Sequence, residues 1–247
     1  MKTKIFGWEH LTFLAVFVVI MVVALILVKK FAKTVKTQNI IVKCVALILF
    51  ITVVWNRISL AVLKNNPAML IPNTFCGMSN LVLSLAVLFG GRNNNVLHFV
   101  FYFAIVGGFV TLIYPDFLEN YPTFFHTVTT SGLLHHAFSL FLCVLLELVG
   151  YFSPNYKKSP CLVIGFMAYM TVGAFLIFVL DINTAFYMNY PCISGTPLTV
   201  WVLIPIFAGV YALYMTCHEL IRRHLKNRKK NKEADFKTLM KIVKKEI

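Results

Sequence analysis

The side chains with chemistry to offer are few and unevenly placed. Cys76 is a candidate thiol nucleophile, since a thiolate attacks acyl carbons once a neighbouring base has taken its proton. His126, His135 and His136 are candidate bases. Adjacent helical residues point ~100° apart, so the His135-His136 pair cannot face one site squarely; His136 shares a face with Thr129, Gly132, Leu140 and Cys143, and His135 with Ser131 and Ser139. Arg57 carries a planar fork suited to phosphate or carboxylate, or it neutralises Asp181 or Asp116 within the protein. Asn183, Asp181, His10 and His135 complete the set of candidate substrate-binding groups. Among the 6 cysteines no Cys-x-x-Cys occurs, which removes zinc-ribbon and dithiol-redox motifs. For Cys76 three readings stand: nucleophile, disulfide partner of Cys192, or buried packing residue.

These residues are embedded in an apolar chain. Of 247 residues, 59% are hydrophobic and 13% charged, and the mean hydropathy is +0.80. Soluble domains are ~45–50% apolar and ~25% charged, so a soluble enzyme, a disordered chain and a secreted disulfide scaffold are excluded. The net charge of +14 does not point to nucleic acid, because 11 of the 23 Lys and Arg fall in the last 26 positions. A basic tail on an apolar chain suits the anionic inner leaflet. The first apolar run lacks a small-residue cleavage site and is followed by Lys29 and Lys30, so it reads as an anchor rather than a cleaved leader.

Seven apolar segments are expected, over residues 11–28, 40–63, 71–88, 96–114, 124–149, 162–180 and 198–217, most of them near the ~20 residues a spanning helix needs. The third is short and opens at Ile71-Pro72; the fifth is long. Basic connections (Lys29 to Lys43, Arg92, Lys157-Lys158, the tail) alternate with base-poor ones, of which one holds Lys64, one Asp116 and Glu119, and one Asp181. Lys and Arg favour the cytoplasmic side. The expectation is an all-α, polytopic protein with seven transmembrane helices, amino terminus outside and carboxyl terminus cytoplasmic, multi-pass in the cell membrane. Residues 1–217 form the membrane domain and 218–247 the basic tail. In that tail Phe236, Leu239, Met240, Val243 and Ile247 fall at helical spacing among lysines, reading either as an amphipathic surface helix or as a disordered anchor. No internal repeat supports a transporter of inverted-repeat design.

This topology puts His10, Arg57, Cys76, His126, Asp181 and Asn183 toward the outer side, with His135 and His136 deeper. Lipid cannot hydrogen-bond such groups, so a shared polar cavity opening outward is expected. A metal-dependent lipid hydrolase using His10, His126, His136 and Asp181 is one alternative, without a supporting spacing motif. A non-enzymatic transporter or lipid-binding subunit is another. The aromatic content is assigned to packing and interfacial anchoring, and no cofactor follows from it.

Particular stretches resemble a family. Pro72-Asn73-Thr74-Phe75-Cys76-Gly77, Gly107-Gly108 leading to Tyr114-Pro115-Asp116, Tyr121-Pro122 leading to Leu134-His135-His136-Ala137, and Asn183-Thr184-Ala185-Phe186 before Pro191 together resemble the YwaF-like bacterial integral membrane proteins, related to the eukaryotic transmembrane protein 164 family. The resemblance runs from about Trp8 to Trp201 and rests on order and spacing; of the family's early Ser-x-x-His only His10 is kept. It implies a cysteine-dependent acyltransferase that moves fatty acyl chains between membrane phospholipids and a lysolipid or other acceptor. Cys76 then stands at the family cysteine and His136 at the family histidine. The bacterial pattern has a histidine two positions before that cysteine and an aspartate just after it, where this chain has Thr74 and Gly77.

Overall fold

The computed structural model describes residues 3–192 and 195–246; in the last helix, side chains are described to residue 224 and again at 227 and 228. Among these the chain forms α1 (Trp8–Phe31), α2 (Val35–Leu63), α3 (Phe75–Phe89), α4 (Leu97–Ile113), α5 (Thr127–Leu148), α6 (Ser159–Phe178) and α7 (Val200–Glu246), joined by short 3-10 turns and no strand. All-α architecture follows from lipid as solvent, in which a helix satisfies every backbone group within its own segment.

Five stretches are long and apolar enough to cross a membrane: Trp8–Phe31, Val35–Leu63, Thr127–Leu148, Tyr156–Phe178 and Val200–His224. The two remaining helices are shorter. At 1.5 Å per residue α3 and α4 rise ~22 and ~25 Å, less than the ~30 Å hydrocarbon core. Both are heavily buried. Every residue of α4 from Leu97 to Ala104 is buried, and α3 buries Gly77 through Asn80, Leu83, Ser84 and Val87. By contrast α1 buries only His10, as befits a helix whose surface faces lipid. Helix α3 starts four residues later than the apolar run at Ile71. Pro72 has no amide hydrogen to give and disfavours helix in the residue before it, and Thr74 is the N-cap, its hydroxyl accepting from Gly77 N at 3.2 Å.

The chain divides into two compact units, Met1–Trp201 and Val202–Ile247. In the first, α2 packs on α3 and α5, α4 lies against α3, α5 and α6, and α1 rests on α5. Helices α2 to α5 thus enclose the core. The second unit is the α7 backbone, helical without a break to Glu246. The boundary at residue 217 therefore falls within one helix, and the side chains of the amphipathic tail pattern lie outside the described residues.

The connection from α6 to α7 is folded back onto the core. Asp181, Phe186 and Tyr187 have φ of 54°, 48° and 57°, a left-handed conformation costing ~1–2 kcal/mol per non-glycine residue. Burial and hydrogen bonding offset this. The Phe186 ring is wholly buried and meets Phe75 edge-on at 5.1 Å, and its amide donates to Asn73 O at 2.8 Å. Gly173 of α6 is needed for this approach: a Cβ there would lie 2.8 Å from Met188 Sδ and 3.0 Å from Phe186 Cδ2.

Candidate functional site

Cys76 sits in the first turn of α3, where Thr74 has set the helix start. Its sulfur points inward at α4: a Cβ on Gly107 would lie 2.7 Å from Cys76 Sγ. Thr111, one turn along α4, lies near the thiol, and Asp116, Cys192, Tyr169 and Tyr187 are within electrostatic range of it. Asp116 follows α4, and desolvation raises its carboxyl above the ordinary value. Cys76 and Cys192 are not joined as a disulfide.

The next glycine of α4 touches a different neighbour. A Cβ on Gly108 would meet the His136 carbonyl oxygen at 3.2 Å. The Gly107-Gly108 step therefore has the thiol of α3 on one residue and the His136 turn of α5 on the other. His135 and His136 lie with ring centroids 4.2 Å apart. Asn80 Nδ2 donates to His135 Nδ1 at 2.8 Å, and Ser139 Oγ donates to Asn80 Oδ1 at 2.6 Å. His135 and Ser139 share a helical face, as the spacing of four requires. His136 Nδ1 is buried with no hydrogen-bond partner.

Arg57 is near the carboxyl end of α2. It makes no ion pair with Asp181 or Asp116. Instead Nη2 donates to Asn56 Oδ1 at 2.7 Å and Nη1 to Asn73 Oδ1 at 3.4 Å. Asn56 Nδ2 in turn donates to Val128 O and Ser131 Oγ on α5, and Asn73 Nδ2 reaches Thr184 Oγ1 at 3.5 Å. One line of hydrogen bonds thereby runs from α5 through α2 to the start of α3 and the α6–α7 connection. Tyr121, Tyr187, His135 and His136 all lie within electrostatic range of the guanidinium. The Tyr121 phenol is raised by desolvation, opposed by Arg57.

Other candidates stand apart. Both ring nitrogens of His10 are engaged: Nδ1 accepts from Phe6 N at 3.2 Å and Nε2 lies 2.9 Å from Leu112 O, pinning the start of α1 to α4. His126 is the N-cap of α5, accepting from Val128 N at 3.3 Å, and its ring stacks on Tyr121 at 4.5 Å. Asp181 accepts from Asn183 Nδ2 at 2.9 Å in an exposed turn. The imidazole partners of His10, His126 and His135 do not include Cys76. Among the described residues no three His, Cys, Asp or Glu come together as a metal site, so the four ligands of the hydrolase alternative are not assembled.

Several contributors escaped the sequence reading. Asn80, Thr111, Tyr169 and Tyr187 are common residue types in apolar or loop stretches, and nothing in their spacing marks them; Asn73 stood in a family stretch but without an assigned role. Asn80 carried a signal all the same, since an amide within an apolar helix needs a partner.

Neither a curated protein nor a solved structure matches the chain. A model of the TMEM164 family matches residues 5–222, in agreement with the resemblance drawn from the motifs. With apolar helices of spanning length and a family match over most of its sequence, this chain is a multi-pass integral membrane protein and belongs to the TMEM164 family.

Proposed function

We propose that the protein is a cysteine-dependent phospholipid acyltransferase of the cell membrane, working at the outer face, with Cys76 as the nucleophile. The observation that carries this reading is the position of the sulfur: in the first turn of a helix, turned inward against Gly107, with Arg57 on the neighbouring helix. The family's cysteine chemistry, as the resemblance implies it, falls on this residue.

The reaction is two acyl transfers. His136 takes the thiol proton as the sulfur attacks the ester carbonyl of a phospholipid. The carbon–oxygen bond breaks, the leaving lysophospholipid oxygen takes the proton from the imidazolium, and the acyl chain remains on Cys76 as a thioester. A second lysolipid then gives its hydroxyl proton to His136, its oxygen attacks the thioester, the carbon–sulfur bond breaks and the thiolate is reprotonated. Splitting a slow ester exchange into two steps through a better nucleophile is the usual gain of covalent catalysis. In this reading His136, whose backbone packs against Gly108, is the base for the thiol that packs against Gly107, and His126, nearer the helix start, is the other imidazole to test.

The purified protein in vesicles, given a phospholipid with a labelled acyl chain and a lysophospholipid, should move label to the lysolipid and form a hydroxylamine-sensitive adduct on Cys76. Cys76→Ala should abolish both. His136→Ala should lower turnover by ~100-fold or more, the usual scale for a lost general base, and His126→Ala should leave it largely intact; the reverse order reassigns the base. Unchanged transfer in Cys76→Ala refutes Cys76 as the nucleophile, and no transfer by the parent protein refutes the acyltransferase reading and leaves a transport or lipid-binding role.

A further inference from the structure

Arg57 carries a formal charge that nothing in the described structure neutralises. The side chain is 8% exposed. It forms no ion pair, its two terminal nitrogens are held by the neutral amide oxygens of Asn56 and Asn73, and Nε is buried with no partner. An isolated buried cation is costly, so buried charges are normally paired. The nearest groups supply donors rather than a counter-charge. Tyr121 and Tyr187 lie within electrostatic range of the guanidinium, and the hydroxyl of neither meets a hydrogen-bond acceptor among the described residues. His136 Nδ1, also near Arg57, is likewise unpartnered. A buried cation with an unused Nε–H and phenols within electrostatic range is complementary to an oxyanion.

Depth narrows the class of anion. Helix α2 has 29 residues and rises ~43 Å, which exceeds the hydrocarbon core by ~13 Å. Arg57 lies about 9 Å from its carboxyl end at helical rise, comparable with that excess, so it is within reach of the layer that holds lipid phosphates. The frame is also rigid: Asn73 precedes the α3 cap and Tyr187 belongs to the strained connection anchored by Phe186. A side chain held on both flanks loses little further entropy on binding.

We propose that Arg57, with the phenols of Tyr121 and Tyr187, is a phosphate-binding seat that takes the phosphodiester oxyanion of a glycerophospholipid. This builds on the acyltransferase reading, because it fixes the lipid by its headgroup beside Cys76, but binding is measured without turnover and the two stand or fall separately. Arg57 is a binding residue here, and the Asn56–Asn73 pair positions it.

The test is ligand-dependent thermal stabilisation of the purified, detergent-solubilised full chain. The probes are dihexanoylphosphatidylcholine, dihexanoylglycerol with the same acyl chains but no phosphate, and inorganic phosphate. The phospholipid is expected to stabilise the protein and the glycerol lipid to have little effect. Arg57→Gln is expected to weaken phospholipid binding by ~10-fold or more, the scale of one charge-assisted hydrogen bond. Cys76→Ala is expected to bind like the parent protein, and to do so whether or not turnover depends on the thiol. Equal stabilisation by the glycerol lipid, or unchanged affinity in Arg57→Gln, overturns the proposal. Inorganic phosphate that protects as well as the phospholipid assigns the seat to a free anion and overturns the lipid assignment. Should Arg57→Gln aggregate on size exclusion, Arg57→Lys and Tyr187→Phe decide in its place: both preserve bulk, both are expected to bind several-fold more weakly, and parental affinity in both overturns the proposal.

Discussion

At the scale of single residues, the site depends on what is missing from Gly107. The Cys76 sulfur occupies the space where a side chain on that residue would begin, at 2.7 Å from an ideal Cβ, closer than carbon and sulfur approach without displacement. Gly107→Ala must push the thiol off α4 or move α3. Overpacking of this kind costs ~1–3 kcal/mol, so the variant is expected to unfold several degrees lower and to expose Cys76 to maleimide faster than the parent protein. Gly91→Ala is the control, since nothing lies within 4 Å of its Cβ position. Equal maleimide rates in Gly107→Ala and the parent chain would mean that the thiol does not rest against α4. None of this is legible from the doublet Gly107-Gly108 alone; small residues in apolar helices allow close approach, but the neighbour they admit is set elsewhere in the chain.

Between elements, the cohesion of α3, α4 and α5 owes much to one amide. Asn80 of α3 donates to His135 and accepts from Ser139, both on α5, and Ser139 Oγ also lies 3.4 Å from Ala104 O on α4. All of these side chains are buried. Asn80→Ala orphans His135 Nδ1 and leaves the Ser139 hydroxyl only its long contact to Ala104 O, and a buried polar group left unpaired costs ~1–3 kcal/mol. The expected result is a marked drop in the midpoint of SDS or thermal unfolding. Ser139→Ala in the Asn80→Ala background should cost less than it does alone, because its partner is already gone; strictly additive losses would show that the network is not coupled. The alternation of His135 and His136 was readable from the helical period, including the shared face of His135 and Ser139. That Asn80, 55 residues earlier, would fill that face was not, because the rotation of α3 about its axis leaves no trace in its own sequence.

For the molecule as a whole, charge is the feature with the widest consequence. Connections rich in Lys and Arg alternate with base-poor ones along seven helices, and five of those helices have spanning length. If α3 and α4 also cross, shorter than the hydrocarbon though they are, the positive-inside tendency orients the chain with Lys29–Lys36 and Lys157-Lys158 inside and Asp116–Glu119 outside. Reporter fusions in these three connections are expected to read cytoplasmic, cytoplasmic and external. The same side for the connections at 116–119 and 157–158 would rule out that orientation, and with it the outward-facing chemistry proposed for Cys76.

The sequence by itself determined that the protein is helical and membrane-embedded, how many apolar segments it has and which few polar residues had to be explained, since hydropathy runs are written in neighbouring residues. It also carried the family, through short stretches whose order survives at a distance. Only the tertiary structure decided which polar residues meet: Arg57 with Asn56 and Asn73 rather than with an aspartate, Cys76 with Gly107 and Thr111, His135 with Asn80, and His10 with the backbone of α4. Contacts between helices depend on how each is rotated and set against the others, and that arrangement is fixed by packing over the whole bundle rather than by any one segment.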